Sequence, residues 1–411
     1  MVLDPVGLEV NGMHRFLVPL IMTTTTAWLL TTQGCVPDQS LPPPGEAERR
    51  AFALQLADGF VLPRLARLQS QADAVVDATS ALAAGGGVDI GARSAAREAL
   101  TSMLVTWQQL EVMQLGPAGS FSTFTGGLGL RDGIDSWPLV SPCGADQQVV
   151  QNLFGEPGWA AGRLVNVLGT HTLEYLLFRD DVDNACPAAA AINDAGTWAA
   201  LSPADITSRR AVYAHVLAED IAARVRTLST SWTAGFAEQL RTAGTPGSLF
   251  STAQQALDES YAALFFLELK TKDRKLAVPA GLHIDCAADV CPELTESPFS
   301  RLSKSHVEQN LVAGRLLLLG EGDDGQDGVG FDDLLRSGGH ADAAATMMGT
   351  IDAAIDAVAT FDGSFEDALQ TEPQRVRDLL TAVKTFTDEL KSTLPSLLGL
   401  RVPDEGAGDN D

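Results

Sequence analysis

The chain has 411 residues, of which 45% are hydrophobic and 20% are charged. This composition can supply one large core or two of modest size, and it argues against a wholly disordered chain. There are 28 basic and 53 acidic residues, which give a formal net charge of −25. A chain this acidic repels phosphate backbones, so nucleic acid is not expected as a partner, whereas cations are compatible with its charge.

The first 34 residues have the pattern of a secretion signal. Met13-His14-Arg15 begins a short basic region, and the apolar stretch that follows, residues 16–30, is interrupted by threonines. The stretch is too short and too rich in threonine for a membrane span, so residues 1–34 are predicted to be a signal peptide that is removed. Met13 is the expected start, because the residues before it do not fit the pattern.

Cys35 follows Thr32-Gln33-Gly34 at the end of the signal, and this arrangement resembles a bacterial lipobox. A lipobox cysteine is lipidated and becomes the first residue, so the membrane would be contacted through the lipid anchor only. Thr32 stands where leucine is usual, and the alternative is ordinary cleavage nearby, which leaves Cys35 as an odd thiol. Residues 35–45 are proline-rich and predict a stiff tether. We expect a protein of the bacterial cell envelope, and Val36 favours the outer membrane, facing the periplasm.

The other four cysteines, Cys143, Cys186, Cys286 and Cys291, are an even number in a chain predicted to reach an oxidising compartment. Four cysteines allow three connectivities. We favour the local pairs Cys143–Cys186 and Cys286–Cys291, because each pair lies in loops bounded by proline, glycine or aspartate. A zinc site is the alternative, but the sequence contains no C-x-x-C pair.

Most of the chain predicts α-helices, because segments rich in Ala, Leu, Gln and Arg place apolar residues three and four apart. The predicted helices are residues 46–82, 92–115, 146–154, 159–178, 203–242, 248–269, 300–319, 331–336, 341–360 and 372–397. Helices of this total length predict an all-α fold of two packed helical-bundle domains, residues 46–244 and 245–402, with a disordered tail at 403–411. Two long irregular stretches, 116–142 and 271–298, are candidates for function.

Residues 163–178 are apolar nearly all round, which predicts a buried helix. His171 and Glu174 lie three apart on one face of it. A carboxylate buried there is costly unless it is paired or bound to a cation, and helical bundles supply metal ligands in this way; the alternative is an internal hydrogen bond. His215 and Glu219 form a comparison pair on a more polar helix, where we predict a solvated face.

Five further residues have plain structural interpretations. Gly169 costs about 1 kcal/mol inside a helix and is usually kept for close approach. Trp107 and Trp137 are expected to pack in the core or over a site. Ser297 and Ser300 could suggest serine hydrolysis, but no G-x-S-x-G elbow is present, and Ser297 fits better as part of the N-terminal cap of the helix predicted from residue 300.

Four motifs resemble those of the imelysin-like family, and they occur in the family's order. They are a tryptophan helix at 107–111 followed by Gly116-Pro117, a Trp-Pro loop at 134–138, the G-x-H-x-x-E signature at 169–174, and a second-half motif at 275–276 and 296–300. The resemblance covers residues from about 50 to 400. The order of the motifs is more specific than any one of them.

The resemblance implies an exported, often lipid-anchored, all-helical bacterial protein whose two bundles are similar to each other. The signature helix would lie near their junction. The resemblance also implies one of two activities. The founding member was described as a metallopeptidase, and other members act in iron uptake, which would give this chain a metal cation as cofactor and an iron-transport protein as partner.

The residue chemistry favours binding of a cation over proteolysis. No His is followed by Glu, so the H-E-x-x-H arrangement is absent, and a peptidase that used His171 and Glu174 for catalysis would also need a third ligand, a base and a cleft. A mixed carboxylate and imidazole site suits iron, with zinc as the alternative. Glu111 and Glu296 are the further candidate ligands, against the alternative of surface carboxylates. A non-catalytic module that binds a protein or a haem group is the third hypothesis.

Overall fold

Helices make up all the regular structure in the described residues, 45–121 and 125–403 of a computed structural model. Neither range contains a strand, which confirms the all-α class. The predicted signal peptide, Cys35, and all but the ends of the tether and the acidic tail lie outside the described residues and stay predictions. Within the two ranges, every helix is too short or too polar to cross a bilayer.

The first half of the described chain is built on three long helices, Leu62–Ala84, Ile90–Glu111 and Pro203–Ser231, the first of which packs against the other two. The helices before residue 244 are α1 (Glu46–Gln55), α2 (Leu62–Ala84), α3 (Ile90–Glu111), α4 (Leu130–Ile134), α5 (Pro142–Gln151), α6 (Gly169–Phe178), α7 (Ala191–Asp194), α8 (Pro203–Ser231) and α9 (Ala237–Arg241). Short π-helical segments at Leu56–Val61 and Trp232–Phe236 join α1 to α2 and α8 to α9, so the predicted helices at 46–82 and 203–242 are confirmed.

Capping residues decide where two of these long helices begin. Asp89 accepts a hydrogen bond from the backbone N–H of Ala92 at the start of α3 (3.0 Å). Ser202 and Asp205 form a reciprocal capping box at the start of α8, and Pro203 occupies its first turn. Both arrangements satisfy backbone donors that the helix itself leaves free.

The second half contains six further α-helices in the described residues and one long π-helical segment. They are α10 (Ala253–Leu264), α11 (Ser303–Leu319), α12 (Phe331–Ser337), α13 (Ala341–Ala359), α14 (Phe365–Thr371) and α15 (Pro373–Leu398). The π-helical segment, Leu267–Ala277, follows α10 and packs against α11 and α15.

The largest apolar core joins residues from both sides of Gly244. Its fully buried members include Leu68 and Leu217 before that position and Phe265 and Leu318 after it. A smaller core lies between the π-helical segment, α11, α13, α14 and α15. The described residues belong to one compact unit, so the domain boundary predicted at residue 244 is not tested and stays a prediction.

The predicted helix at 159–178 is wrong in its first half. Residues 159–168 form turns that include short 3₁₀ segments, Ala160–Gly162 and Val165–Val167, and α6 begins only at Gly169. Gly169 has φ of +76°, a left-handed conformation from which a right-handed helix cannot extend backwards. The spacing of apolar residues does not indicate where the backbone adopts a positive φ.

The irregular stretch predicted at 271–298 begins later than expected, because helical structure continues to Ala277. Residues 267–277 carry many charged side chains. Glu268, Lys272 and Lys275 are nevertheless buried, and each is paired with a side chain of opposite charge. A strongly charged sequence therefore forms a buried helical segment here. The other predicted loop, 116–142, contains the short helix α4.

The cysteine pairing predicted from the sequence is confirmed. Cys143 is bonded to Cys186 and Cys286 to Cys291. The first bond ties the start of α5 to the segment between α6 and α7, across a sequence separation of 43 residues. The second closes a short loop with a separation of 5 residues.

Candidate metal centre

The buried polar residues of the protein are concentrated where five segments meet. These are the C-terminal end of α3, the loop after α4, the first turns of α6, the end of the π-helical segment, and the chain from residue 292 into α11. Helix α3 packs against both α6 and α11, and α11 packs against the π-helical segment. This packing brings side chains together that are far apart in the sequence.

Gly169 allows the first turn of α6 to lie directly on the loop that follows α4. A Cβ atom at this position would lie 3.0 Å from the carbonyl oxygen of Ile134 and 3.0 Å from the backbone nitrogen of Ser136. The close approach expected of Gly169 is therefore present, at a helix start rather than inside a helix. It sets His171 beside Asp135, which lies between those two backbone groups.

We expect Gly169→Ala to lower the free energy of unfolding by about 1–3 kcal/mol, because alanine is strained at positive φ and its Cβ crowds the loop backbone. Urea denaturation would measure the loss. The matched control is Gly86→Ala, at φ of +64° with no atom near the new Cβ, which isolates the backbone strain. An equal loss in the two variants would contradict a role for the close approach.

His171 lies at the centre of the cluster and is almost fully buried. Its Nε2 atom lies 2.9 Å from Oδ1 of Asp135 and 3.9 Å from Oε1 of Glu296. Its Nδ1 atom lies 3.2 Å from Oε2 of Glu174, one turn further along α6. The two ring nitrogens therefore face different carboxylates.

Asp135 is the carboxylate that the sequence analysis did not single out. It is completely buried, and its Oδ2 accepts a hydrogen bond from Nε1 of Trp107 (2.8 Å). Its Oδ1 accepts one from the backbone N–H of Trp137 (3.2 Å). Both tryptophans are therefore buried, as predicted, and each also donates a hydrogen bond to this carboxylate. Its position in the Trp-Pro loop, inside a long irregular stretch, was the available signal.

Glu174 is held by Ser300, which donates to Oε1 of Glu174 from both its backbone nitrogen (2.7 Å) and its hydroxyl (2.8 Å). Its other oxygen contacts Nδ1 of His171. A carboxylate in this position fixes the tautomer and orientation of an imidazole and leaves Nε2 for a metal ion. The structure therefore places Glu174, a predicted ligand, where it orients His171.

Glu296 reaches the cluster from the segment before α11. Its Oε1 accepts a hydrogen bond from Nε2 of Gln108 (2.9 Å). Its Oε2 lies 2.9 Å from Nζ of Lys275 and 3.1 Å from Nδ1 of His306. Glu296 is thus the predicted further ligand that the structure brings to His171.

Glu111, the other further candidate, is buried but paired with two cations. Its Oε1 accepts from Nη2 of Arg131 (2.7 Å), and its Oε2 lies 3.1 Å from Nζ of Lys275. It is not among the grouped ligands Asp135, His171 and Glu296. Both oxygens of Glu111 therefore contact basic side chains, and its role as a ligand stays a prediction.

The predicted capping role of Ser297 is wrong. Helix α11 begins at Ser303, and its cap residue Leu302 makes no side-chain cap hydrogen bond. Arg301 has φ of +63°, which reverses the chain just before the helix. Ser297 instead donates its backbone N–H to the Ser303 hydroxyl (2.9 Å), and its own hydroxyl lies 3.4 Å from Nδ1 of His306.

Mutual attraction among the buried groups favours their charged forms and opposes the effect of burial. Burial is the largest single effect, and alone it would raise the pKa of Asp135 and lower that of His171. Their mutual attraction and hydrogen bonding, helped by Arg131 and Lys275 at Asp135 and by Glu174 at His171, together outweigh burial. The pKa of Asp135 therefore lies well below its ordinary value and that of His171 well above. Burial likewise opposes ionisation of Glu296, yet Lys275 and His306 lower its pKa to about 2. Glu111 and Glu296 raise the pKa of Lys275 against the effect of burial.

Asp135, His171 and Glu296 fit a metal ion. One ligand atom from each lies within 4.8 Å of the others, and all three side chains are buried. Nε2 of His171 and Oε2 of Glu296 have no hydrogen bond of acceptable geometry in the described residues, although both lie close to opposite charges. One imidazole nitrogen and two carboxylates form a donor set that suits iron, zinc or manganese.

The comparison pair on α8, His215 and Glu219, is more exposed than the pair on α6, as predicted. Nε2 of His215 lies 3.9 Å from Oε1 of Glu219, whose side chain is 61% exposed. Exposed pairs of this kind contribute little to stability. Burial, and not the spacing of His and Glu along the helix, therefore distinguishes the His171–Glu174 pair from the His215–Glu219 pair.

A cavity of about 550 Å³ opens onto the cluster. His171, Glu174 and Glu296 are among the residues that line it. Its other walls are mainly apolar, and Arg274, Asp285 and Glu293 lie among its lining residues. Two of the three grouped ligands, His171 and Glu296, thus line a cavity of the size that binds small molecules.

The fold and the site together define an all-helical protein with a buried cluster of candidate metal ligands beneath an apolar cavity. Residues 61–394 match the family model described as Peptidase_M75: Imelysin. The chain therefore belongs to the imelysin family, and the family predicted from the four motifs is confirmed. No curated protein matches the sequence.

Two solved structures resemble this one closely in fold. A protein described as an iron-regulated protein A precursor, from Parabacteroides distasonis ATCC 8503, is 18% identical with a TM-score of 0.66 over 87% of this chain and 96% of its own. An imelysin-like protein from Psychrobacter arcticum 273-4 is 15% identical with a TM-score of 0.67 over 89% and 99%. At these identities the likeness concerns the fold alone.

Proposed function

We propose that this protein binds a metal cation, iron, through Asp135, His171 and Glu296, and that it serves in iron acquisition. The observation that carries the proposal is the close grouping of these three buried ligands around Nε2 of His171. Glu174 and Ser300 support the site by orienting the imidazole. A bound cation would supply positive charge to the carboxylates that face one another in this cluster.

The choice of iron rests on two supports. The donor set combines hard carboxylate oxygens with one imidazole, which iron accepts readily, although zinc accepts it too. The similar structure from Parabacteroides distasonis is described as an iron-regulated protein. We therefore propose iron as the physiological cation and keep zinc as the alternative that the experiment must separate.

Binding is favoured over peptide hydrolysis by the state of the nearby carboxylates. A metallopeptidase needs a carboxylate or other base that is free to act on water beside the metal. Glu174 is held by Ser300 and His171, and Glu296 contacts Lys275 and Gln108. Every carboxylate beside His171 already has a structural partner.

We further propose that the protein is exported and lipid-anchored at Cys35, in the outer membrane facing the periplasm. The support is the sequence pattern before Cys35, together with the two disulfide bonds, which form and persist in oxidising compartments. An iron-transport protein is the proposed partner. Radiolabelled palmitate incorporation, lost in Cys35→Ser, would test the anchor.

The experiment that tests the cation site is elemental analysis of residues 36–411 after incubation with iron and zinc salts and exhaustive dialysis. We expect about one iron per chain in the wild type and none in His171→Ala, because removal of the central ligand leaves only two carboxylates. His215→Ala is the matched control, since it deletes a histidine that also pairs with a glutamate but is more exposed.

Three other outcomes have distinct meanings. Unchanged iron in His171→Ala would contradict the site. Stoichiometric zinc without iron would assign the site to zinc, and the peptidase alternative would then be tested by chelator-sensitive cleavage of a peptide library. No metal in the wild type would contradict the proposed function.

A further inference from the structure

The cavity above the candidate ligands is much larger than a bare ion requires. A water molecule has about 30 Å³ in the liquid, so even a partly hydrated ion would leave most of the volume unused. The cavity of about 550 Å³ lies instead in the range of sites that bind organic molecules. The excess volume indicates a second component beside the cation.

The cavity walls are apolar and partly aromatic. Trp137, Val278, Leu294 and Phe299 are among the apolar residues of the lining. The ring of Phe299 packs against that of Tyr175, with centroids 4.9 Å apart, and Trp137 is 5% exposed. Aromatic side chains held by their own packing form a preformed surface for a planar ring.

The charge of the lining selects against anions. Four carboxylate residues line the cavity, Glu174, Glu296, Asp285 and Glu293, against two residues that can be cationic, His171 and Arg274. Arg274 is itself paired with Asp285. A ligand with an additional negative charge would be repelled, so the occupant should be neutral or positively charged once the metal is included.

His171 and Glu296 connect the two features, because each belongs to the ligand group and also lines the cavity. Three protein ligands leave coordination positions open on iron or zinc. Because two of these ligands line the cavity, a further ligand supplied by a bound molecule would have to reach the ion from there.

We infer that the cavity holds a planar aromatic chelator that completes the coordination of the cation, so that the substrate is a neutral or cationic metal chelate and not a bare ion. This inference rests on the proposed cation site. It assigns separate tasks to two sets of residues. Asp135, His171 and Glu296 hold the metal, and the apolar wall around Trp137 and Phe299 holds the organic part.

The test uses residues 36–411 loaded with zinc, a redox-silent cation, and freed of excess metal. The probe is 8-hydroxyquinoline, a planar bidentate chelator that fluoresces when it binds zinc. We expect a saturable complex of one probe per chain, with the zinc retained by the protein on ultrafiltration. The control probe 8-hydroxyquinoline-5,7-disulfonate has the same chelating atoms, but its zinc chelate carries a net negative charge, so we expect it to bind at least about tenfold more weakly.

Variants of the wall separate the organic subsite from the metal site. Phe299→Ala removes part of the aromatic surface and Val278→Trp fills the cavity, and neither residue is a proposed metal ligand. Each should weaken probe binding by at least about tenfold while zinc affinity stays within about threefold. Val88→Trp, at a position that is 70% exposed, is the matched control for the added bulk and should change neither.

Each other result would overturn the inference. If the probe extracts the zinc, or if the protein retains zinc without binding the probe, the organic subsite is contradicted and the cation site is not. A complex that is insensitive to both Phe299→Ala and Val278→Trp would place the probe elsewhere. A wild type that retains neither iron nor zinc would contradict the proposed function, and the inference would fail with it.

Discussion

Replacement of Asp135 by Asn is expected to weaken cation binding by at least about a hundredfold, because loss of an outer partner alone typically costs ten- to a hundredfold. Asn preserves the size of the side chain but removes the negative charge that faces Nε2 of His171 at 2.9 Å. It also places an amide where the carboxylate now accepts two hydrogen bonds, from Trp107 and from the backbone of Trp137. Competition with a chromophoric metal indicator would measure the affinity for zinc and, without oxygen, for ferrous iron.

Trp107→Phe is the control for this prediction. It removes the hydrogen bond to Oδ2 of Asp135 and keeps both the aromatic ring and the carboxylate. We expect a loss of about tenfold, as for other outer partners. Unchanged affinity in Asp135→Asn would exclude this carboxylate as a ligand. Equal losses in the two variants would mean that the geometry of the loop, and not the charge of Asp135, governs binding.

Removal of the ammonium group in Lys275→Met is expected to lower the free energy of unfolding by about 3–5 kcal/mol, the usual cost of breaking a buried ion pair. The Lys275 side chain is fully buried, 2.9 Å from Glu296 and 3.1 Å from Glu111. Without it, the Glu296 carboxylate keeps the imidazoles of His306 at 3.1 Å and His171 at 3.9 Å as neighbours, but no ammonium group to balance its charge. Urea denaturation would measure the loss.

The stabilisation by Lys275 should persist through the neutral pH range. Its pKa is raised in the folded state because Glu111 and Glu296 outweigh the effect of burial. A raised lysine pKa contributes stability at every pH below the unfolded value of about 10.4, and this is lost only as the pH rises through the folded value. The difference in the free energy of unfolding between wild type and Lys275→Met should therefore be the same at about pH 6 and about pH 8.

Two comparisons make this prediction specific. Lys384→Met removes a partly exposed lysine that pairs with Asp388 at 2.7 Å on α15, and it should cost at most about 0.5 kcal/mol. Adding Glu296→Gln to Lys275→Met removes both charges, and the two substitutions should show a coupling of about 1–3 kcal/mol. A loss in Lys275→Met no larger than in Lys384→Met would show that the buried ion pairs contribute nothing to stability.

Local sequence patterns were enough to predict the helical class, the G-x-H-x-x-E segment and the disulfide pairs. Helical periodicity depends on neighbours three and four residues apart, and so does the pairing of His171 with Glu174. The close approach at Gly169 was also anticipated, because glycine in an apolar helix needs a reason. The helix start at that residue was missed, since a positive φ has no signature in hydrophobic spacing.

Tertiary structure alone decided which polar residues meet at the site. Ser300 and Glu174 are 126 residues apart, and Gln108 and Lys275 are 167 apart, so no local pattern relates them. The cavity is likewise formed by separate segments. Sequence by itself determined that a buried His and Glu would share one helical face. Only the packing of α3, α6 and α11 decided that Asp135 and Glu296 would join His171 while Glu111 would pair with cations, because long-range contacts depend on how whole helices pack.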